Sequence, residues 1–191
     1  MRQPVLGRVK TRLARETDSL AAWQFYRRAS RRLLRRLRAD PSWQVVVAWA
    51  SAPEPQALFR PGDLLQGSGD IGERMERCLR AVPPGPVVLL GADIPGVRPR
   101  HIRRAFACLR HTPLVFGPAR DGGFWLAGAR NPVYLQRPLF AAGIRWSSPQ
   151  TLADVLAGLR QPVGLADTLA DVDHAADLPP PASLTGFPGF Q

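Results

Sequence analysis

Residues 86–95 read Pro-Val-Val-Leu-Leu-Gly-Ala-Asp-Ile-Pro. Four consecutive branched apolar side chains, Val87–Leu90, suit a strand buried on both faces rather than one wetted at alternate positions. The run stops at Gly91, and an acidic side chain, Asp93, follows at once. On either side lie helical patterns. Residues 99–110 predict a helix, and Asp70 opens another to about Ala81, with Glu73 placed three residues on as in a capping box. Farther out, Trp43–Ala50 is a second Val-rich run suited to a buried strand. Leu114–Gly117, Phe124–Gly128 and Val163–Ala166 predict shorter strands, and Ser148-Pro149 starts a helix running to about Leu159. A short helix is expected near Gln56–Phe59. Residues 18–39 form an amphipathic pattern: Asp18 can cap it, and Trp23, Tyr26, Ala29, Leu33 and Leu37 recur at spacings of three and four. Strands alternating with helices predict an α/β fold of three layers, a mostly parallel central sheet with helices on both faces. Ligands of such sheets sit at the carboxyl ends of the strands.

The chain has 191 residues, 45% of them hydrophobic, which suits one folded domain. That domain is expected over residues 1–178, followed by a flexible Pro/Gly-rich tail at 179–191. No apolar run approaches the roughly 20 residues that span a bilayer. Cys78 and Cys108 are too few and too far apart for a disulfide framework, which favours the cytoplasm. The net charge of +11 is uneven. Residues 1–40 hold 12 Lys and Arg against Glu16, Asp18 and Asp40, whereas 161–178 contain four Asp and no Lys or Arg. Lys10 is the single lysine among 26 basic residues. In so Arg-rich a chain, a retained lysine suits a phosphate contact made by a compact point charge. The arginines at 27, 28, 31, 32, 35 and 36 read as a solvated helix face. Nucleic acid is disfavoured there because no aromatic residues interleave to stack on bases.

Five segments carry residues suited to chemistry. The loop Gly7-Arg8-Val9-Lys10-Thr11-Arg12-Leu13 places three cations and a hydroxyl before a helix. It can grip a diphosphate or be a basic surface loop, and it lacks the spacing of a P-loop. Asp93, directly after an apolar strand, can hold Mg²⁺ or simply precede a proline in a turn. In Asp121-Gly122-Gly123 the glycines can admit a ligand close to the backbone, or form an ordinary hairpin turn. Asp171 and Asp173, alternating in an extended segment, point the same way; they can complete a cation site with Asp93, or Asp173 can cap a turn. The Gly-rich run before Glu73, with Gly69, Asp70 and Gly72, can expose backbone N–H groups to a ligand. Trp146-Ser147-Ser148 is explained mostly by helix capping. His101 and His111 lack partners spaced as metal ligands.

Taken in order, six motifs resemble those of a bacterial family of transferases with the glycosyltransferase-A fold, labelled arsenosugar-biosynthesis glycosyltransferase-like. They are Lys10-Thr11-Arg12-Leu13-Ala14, Gly69 to Met75, Gly91-Ala92-Asp93-Ile94-Pro95, Asp121 to Leu126, Ile144 to Ser148, and Asp171-Val172-Asp173. The likeness extends over about residues 4–178 and implies a nucleotide-diphospho-sugar transferase-like fold. The same order of features is similar to phospholactate and molybdenum-cofactor guanylyltransferases. The resemblance implies a transferase with a nucleotide-activated donor, a small-molecule acceptor and a divalent metal, Mg²⁺ or Mn²⁺. It makes Lys10, Arg12 and Asp93 catalytic and Asp93, Asp171 and Asp173 metal ligands. Gly7, Arg8, Thr11, Gly69, Asp70, Gly72, Glu73, Asp121, Gly122, Gly123, Trp146 and Ser147 become nucleotide or substrate contacts. Glycosyl transfer is the leading expectation, nucleotidyl transfer the alternative, and a non-catalytic nucleic-acid binder using the Arg-rich helix a third. The family has a hydrophobic strand directly before the Lys10 loop. Here Met1-Arg2-Gln3-Pro4 stands in its place, so that strand is expected to be missing.

Overall fold

The computed structural model describes residues 1–5, 9–52, 60–92 and 94–170, with the Arg12 side chain excluded. The helix expected near Gln56–Phe59 and the tail from Pro179 lie outside them. Thr11–Glu16 is α1 and Ser19–Arg38 is α2. The Asp18 side chain caps α2 by accepting from the Ala21 N–H at 2.8 Å, which satisfies one of the orphan donors of the first turn. Ala22, Tyr26, Ser30, Leu33 and Leu37 form its buried face. Ala48–Trp49 (β1) and Leu64–Leu65 (β2) pair in parallel. Ile71–Arg80 is α3, Val87–Leu90 β3, Pro99–His111 α4, Leu114–Pro118 β4, Phe124–Ala129 β5, Thr151–Gly158 α5 and Val163–Leu165 β6.

The larger sheet has the order β3-β5-β4-β6. It is mixed: β5 runs antiparallel to both neighbours, and only β4 and β6 pair in parallel. This corrects the expected mostly parallel sheet. The segment Ala119–Gly123 joining β4 to β5 is too short for a crossover, which needs a dozen or more residues, and so closes a hairpin. Helices nonetheless line both faces. Val115 packs with Leu33 and Leu37 of α2 and Ile102, Ala105 and Leu109 of α4. Leu114 and Phe116 point the other way, toward Leu79 of α3 and Val155 of α5. That alternation is the period of two that places successive strand side chains on opposite faces. Burying a side chain such as Phe116 contributes roughly 1.5–3 kcal/mol.

One irregularity reshapes this pattern. Phe124 pairs with Pro118 but Leu126 with Gly117, leaving Trp125 without a register partner. The extra residue is a β-bulge, and it puts Trp125 beside Leu126 on the α4 face. The Trp125 indole lies over Gly117, where a Cβ would come within 2.5 Å of the ring, and its N–H donates to the Asp167 carbonyl at 2.8 Å.

Three further expectations change. Val87–Leu90 is an edge strand, half-buried along its length rather than enclosed. The Gly91 N–H donates to the Trp125 carbonyl, so the alternate residues Val88 and Leu90 turn their backbone groups away from β5. Within Trp43–Ala50 only Ala48–Trp49 forms a ladder, because β2 offers just two residues to pair with. The Met1 amine also donates to the Ala48 carbonyl, and Ala50 N–H to the Met1 carbonyl. Finally, α5 starts at Thr151 rather than Ser148; a turn closed by Thr151 N–H on the Ser148 carbonyl comes first.

Candidate functional site

Because β5 opposes its neighbours, β3, β4 and β6 run the same way and end at one edge of the sheet. The β4–β5 turn stands at that edge. Ala119 N–H donates to the Gly123 carbonyl at 3.0 Å and Gly122 N–H to the Ala119 carbonyl at 3.2 Å. Asp121 Oδ1 accepts from Gly123 N–H at 2.9 Å, while the carboxylate stays exposed. The chain after β6 continues along the same turn: Leu169 bridges Ala119, and Arg120 N–H donates to the Leu169 carbonyl at 3.2 Å. Gly91 and Leu169, which lead toward Asp93 and Asp171, therefore lie at one edge.

A second segment arrives from α3. Asp70 and Glu73 form the expected capping box, with Glu73 N–H on Asp70 Oδ1 at 2.8 Å and Asp70 N–H on Glu73 Oε2 at 2.9 Å. Both carboxylates thus hold the helix start. Gly69 adopts a φ of +105°, and a Cβ there would overlap the Glu73 carboxylate. Arg77 fastens the preceding loop by donating to the carbonyls of Gln66 and, at 2.9 Å, Ser68. Gly72 is buried, and a Cβ on it would come within 2.7 Å of the Trp146 ring.

Trp146 belongs to the third segment. It packs edge-on to Phe124 and Phe140, at centroid distances of 6.5 and 5.8 Å. Pro149, three residues on, lies against Gly122, and Leu152 N–H donates to the Gly122 carbonyl at 3.0 Å. The loop is pinned by Arg145, whose Nε and Nη2 donate to Asp154 at 2.9 and 2.7 Å, with its backbone N–H at 3.0 Å. The Arg145 side chain and then its backbone N–H lower the Asp154 carboxyl from its ordinary 3.8 to about 2. A depressed carboxyl stabilises the fold above its unfolded value and loses that contribution as pH falls through its folded one. The gap in denaturation midpoint between wild type and Asp154→Asn is therefore expected to be constant above pH 5. It should close between about pH 4 and pH 2; a gap unchanged at pH 2 refutes the assignment.

Gly72, Gly122 and Trp146 are thus linked by contact, with Gly69, Asp70, Glu73, Asp121, Gly123 and Ser147 beside them in sequence. Lys10 and Thr11 lie on a separate element: Lys10 precedes α1, which packs on α2. Lys10 (φ +49°) and Ser147 (φ +57°) are the two non-glycine residues with positive φ among the described residues. Such a conformation costs about 1–2 kcal/mol and marks segments held by their surroundings, often at functional sites. Gly7, Arg8, Asp93, Asp171, Asp173 and the Arg12 side chain lie outside the described residues. Among the described residues no three His, Cys, Asp or Glu gather to hold a metal.

Sequence reasoning gave His101 no role. It is 5% exposed, lies edge-on to Trp125, and its Nδ1 accepts from Arg98 N–H at 3.2 Å. It thereby braces the turn between Asp93 and α4. Burial lowers its pKa, with Asp167 opposing. A turn histidine three residues into a helix was the available signal, but its partners Trp125 and Asp167 are distant in sequence.

Residues 33–148 match a family described as "Uncharacterized protein conserved in bacteria (DUF2064)". The chain belongs to that family. The α/β architecture of this DUF2064 member is similar to a crystal structure from Desulfovibrio desulfuricans G20 described as a "putative nucleotide-diphospho-sugar transferase". The two share 27% identity at a TM-score of 0.78, over 91% of this chain and 80% of that one. No curated protein matches the sequence. Among the described residues no helix is long and apolar enough to cross a membrane.

Proposed function

We propose that this chain transfers a sugar from a nucleotide-diphosphate donor to a small-molecule acceptor. One observation carries the reading: the α3 capping loop, the β4–β5 turn and the Trp146 loop meet at the sheet edge to which β3, β4 and β6 deliver their carboxyl ends. In α/β sheets ligands bind beyond the carboxyl ends of strands that run the same way, as β3, β4 and β6 do here. The likeness to the Desulfovibrio structure supports it.

In this reading Gly69, Asp70, Gly72 and Glu73 face the nucleotide, with Trp146 and Ser147 alongside. Asp121, Gly122 and Gly123 face the sugar or acceptor. Gly7, Arg8 and Thr11 line the diphosphate, while Lys10 and Arg12 neutralise the charge that grows on the departing nucleoside diphosphate. Preorganised cations aimed at such charge are often the largest catalytic term. Asp93, Asp171 and Asp173 would hold Mg²⁺ or Mn²⁺, since carboxylate oxygens are the donors these ions take. When bound, the ion would add Lewis-acid stabilisation at the diphosphate.

The test is product analysis with Mg²⁺ present. Nucleoside diphosphate released from a nucleotide sugar is expected, falling at least about a hundredfold in Asp93→Asn. Pyrophosphate released from a nucleoside triphosphate, with no turnover of nucleotide sugars, would replace sugar transfer by nucleotidyl transfer.

A further inference from the structure

The exposed side of α2 carries a second feature that uses none of the motif residues above. Arg31, Arg35 and Arg38 recur at spacings of four and three, which places them on one face over roughly 10 Å of helix. Together with Leu34, Ala39 and Arg60 they line a shallow groove, widely open to solvent, of about 500 Å³. Among the described residues none of these four guanidiniums makes a hydrogen bond or ion pair. Other arginines do: Arg103 pairs with Asp40, Arg104 with Asp167 and Arg145 with Asp154.

Arg60 reaches the groove from a different segment, and it is held there. Arg60-Pro61-Gly62-Asp63 is a tight turn, with Asp63 N–H on the Arg60 carbonyl at 2.9 Å and Gly62 at a φ of +87°. Proline second and a positive-φ glycine third make it a type II turn. The Asp63 carboxylate locks it, accepting from Arg60 N–H, Val47 N–H and the Trp49 indole at 3.0–3.1 Å. Burial raises the Asp63 pKa, but these hydrogen bonds outweigh it and hold the group ionised below the usual range. Asp63 is thus hydrogen-bonded to the Arg60 backbone N–H rather than to its guanidinium. Burial lowers the pKa of Arg38 and proximity to Arg60 lowers it further, with Asp63 opposing.

We propose that Arg31, Arg35, Arg38 and Arg60 form a binding site for a soluble oligophosphate. Guanidinium forks bind phosphate oxygens in pairs, and cations converging from a helix and a locked turn suit a narrow anion with several linked phosphates. Among the described residues the groove offers bases no aromatic platform. Among the described residues Leu34 is the one large apolar side chain at the groove, and it is half-buried, which disfavours insertion into a bilayer. The site shares no residue with the proposed transfer site and does not rest on that reading.

The test is calorimetric titration of the full chain with inorganic tripolyphosphate. Arg35→Gln/Arg38→Gln is expected to weaken binding at least tenfold, and Arg60→Gln alone at least threefold. Both should keep a denaturation midpoint within about 2 °C of wild type, since all three positions are exposed. Lys10→Gln should leave this binding unchanged, which separates the groove from the transfer site. Orthophosphate at matched ionic strength should bind far more weakly. Equal affinity in the double variant, or in orthophosphate and tripolyphosphate, overturns the proposal. So does tighter, arginine-dependent binding of single-stranded RNA or of phosphatidylglycerol vesicles.

Discussion

Phe116→Ala is expected to destabilise the fold by about 3–5 kcal/mol, the usual cost of emptying a buried aromatic position. The side chain is fully enclosed, at 0% exposure, and meets Phe124 edge-on at 5.2 Å and Phe140 at 6.5 Å. Phe124 and Phe140 stack on each other at 6.0 Å, and both touch Trp146. A cavity at 116 thus lies beneath the aromatic group that carries one wall of the candidate site. In a chain of this length the loss corresponds to a midpoint lowered by roughly 10 °C. Phe116→Leu, which keeps most of the volume, should cost less than half as much. Urea denaturation of both variants measures it; a loss below 1 kcal/mol for the alanine would show that these rings do not form a common core.

The second large effect belongs to Gly122→Ala. Gly122 holds a φ of +86°, and a Cβ there would overlap the Pro149 carbonyl and sit 2.6 Å from Pro149 Cα. Both obstacles are backbone, so neither can rotate away. The substitution adds left-handed strain and pushes off the segment whose Leu152 N–H donates to the Gly122 carbonyl. About 3 kcal/mol is expected. Gly123→Ala supplies the contrast: its φ is not in the left-handed region, and the nearest group to its added Cβ would be the Asp121 carboxylate, at 3.2 Å, a side chain that can shift. That change should cost under about 1 kcal/mol. If the two alanines are equally tolerated, the β4–β5 turn and the Pro149 segment are not docked on each other.

What the sequence made legible was local. The Asp70–Glu73 capping box and the Asp18 cap follow from side chains three residues from the backbone groups they bind, so no tertiary information is needed. The sheet direction was partly legible too, in the short link between residues 118 and 124, but the alternation of strands and helices pointed elsewhere. β2 was not legible, because two leucines have no period. The half-buried state of Val87–Leu90 depends on what lies beside the strand, which composition does not reveal. At the candidate site each glycine motif stood out, but not the contacts that join them: Gly72 to Trp146 and Gly122 to Pro149 are long-range. The Arg145–Asp154 clamp spans nine residues of mixed loop and helix with no periodic pattern to announce it. Arg38 and Arg60 share the groove through packing alone, with no local pattern to bring them together.

The assignment of sugar transfer turns most directly on metal-dependent nucleotide binding, measured as the denaturation midpoint with nucleoside diphosphates and nucleotide sugars, with and without Mg²⁺. A ligand at a hundred times its dissociation constant adds about 2.7 kcal/mol, or roughly 5–10 °C here. The expected result is such a rise for at least one nucleotide sugar with Mg²⁺, and its loss in an Asp93→Asn variant whose ligand-free midpoint matches wild type. No rise with any nucleotide sugar, or an equal rise in Asp93→Asn, would contradict it.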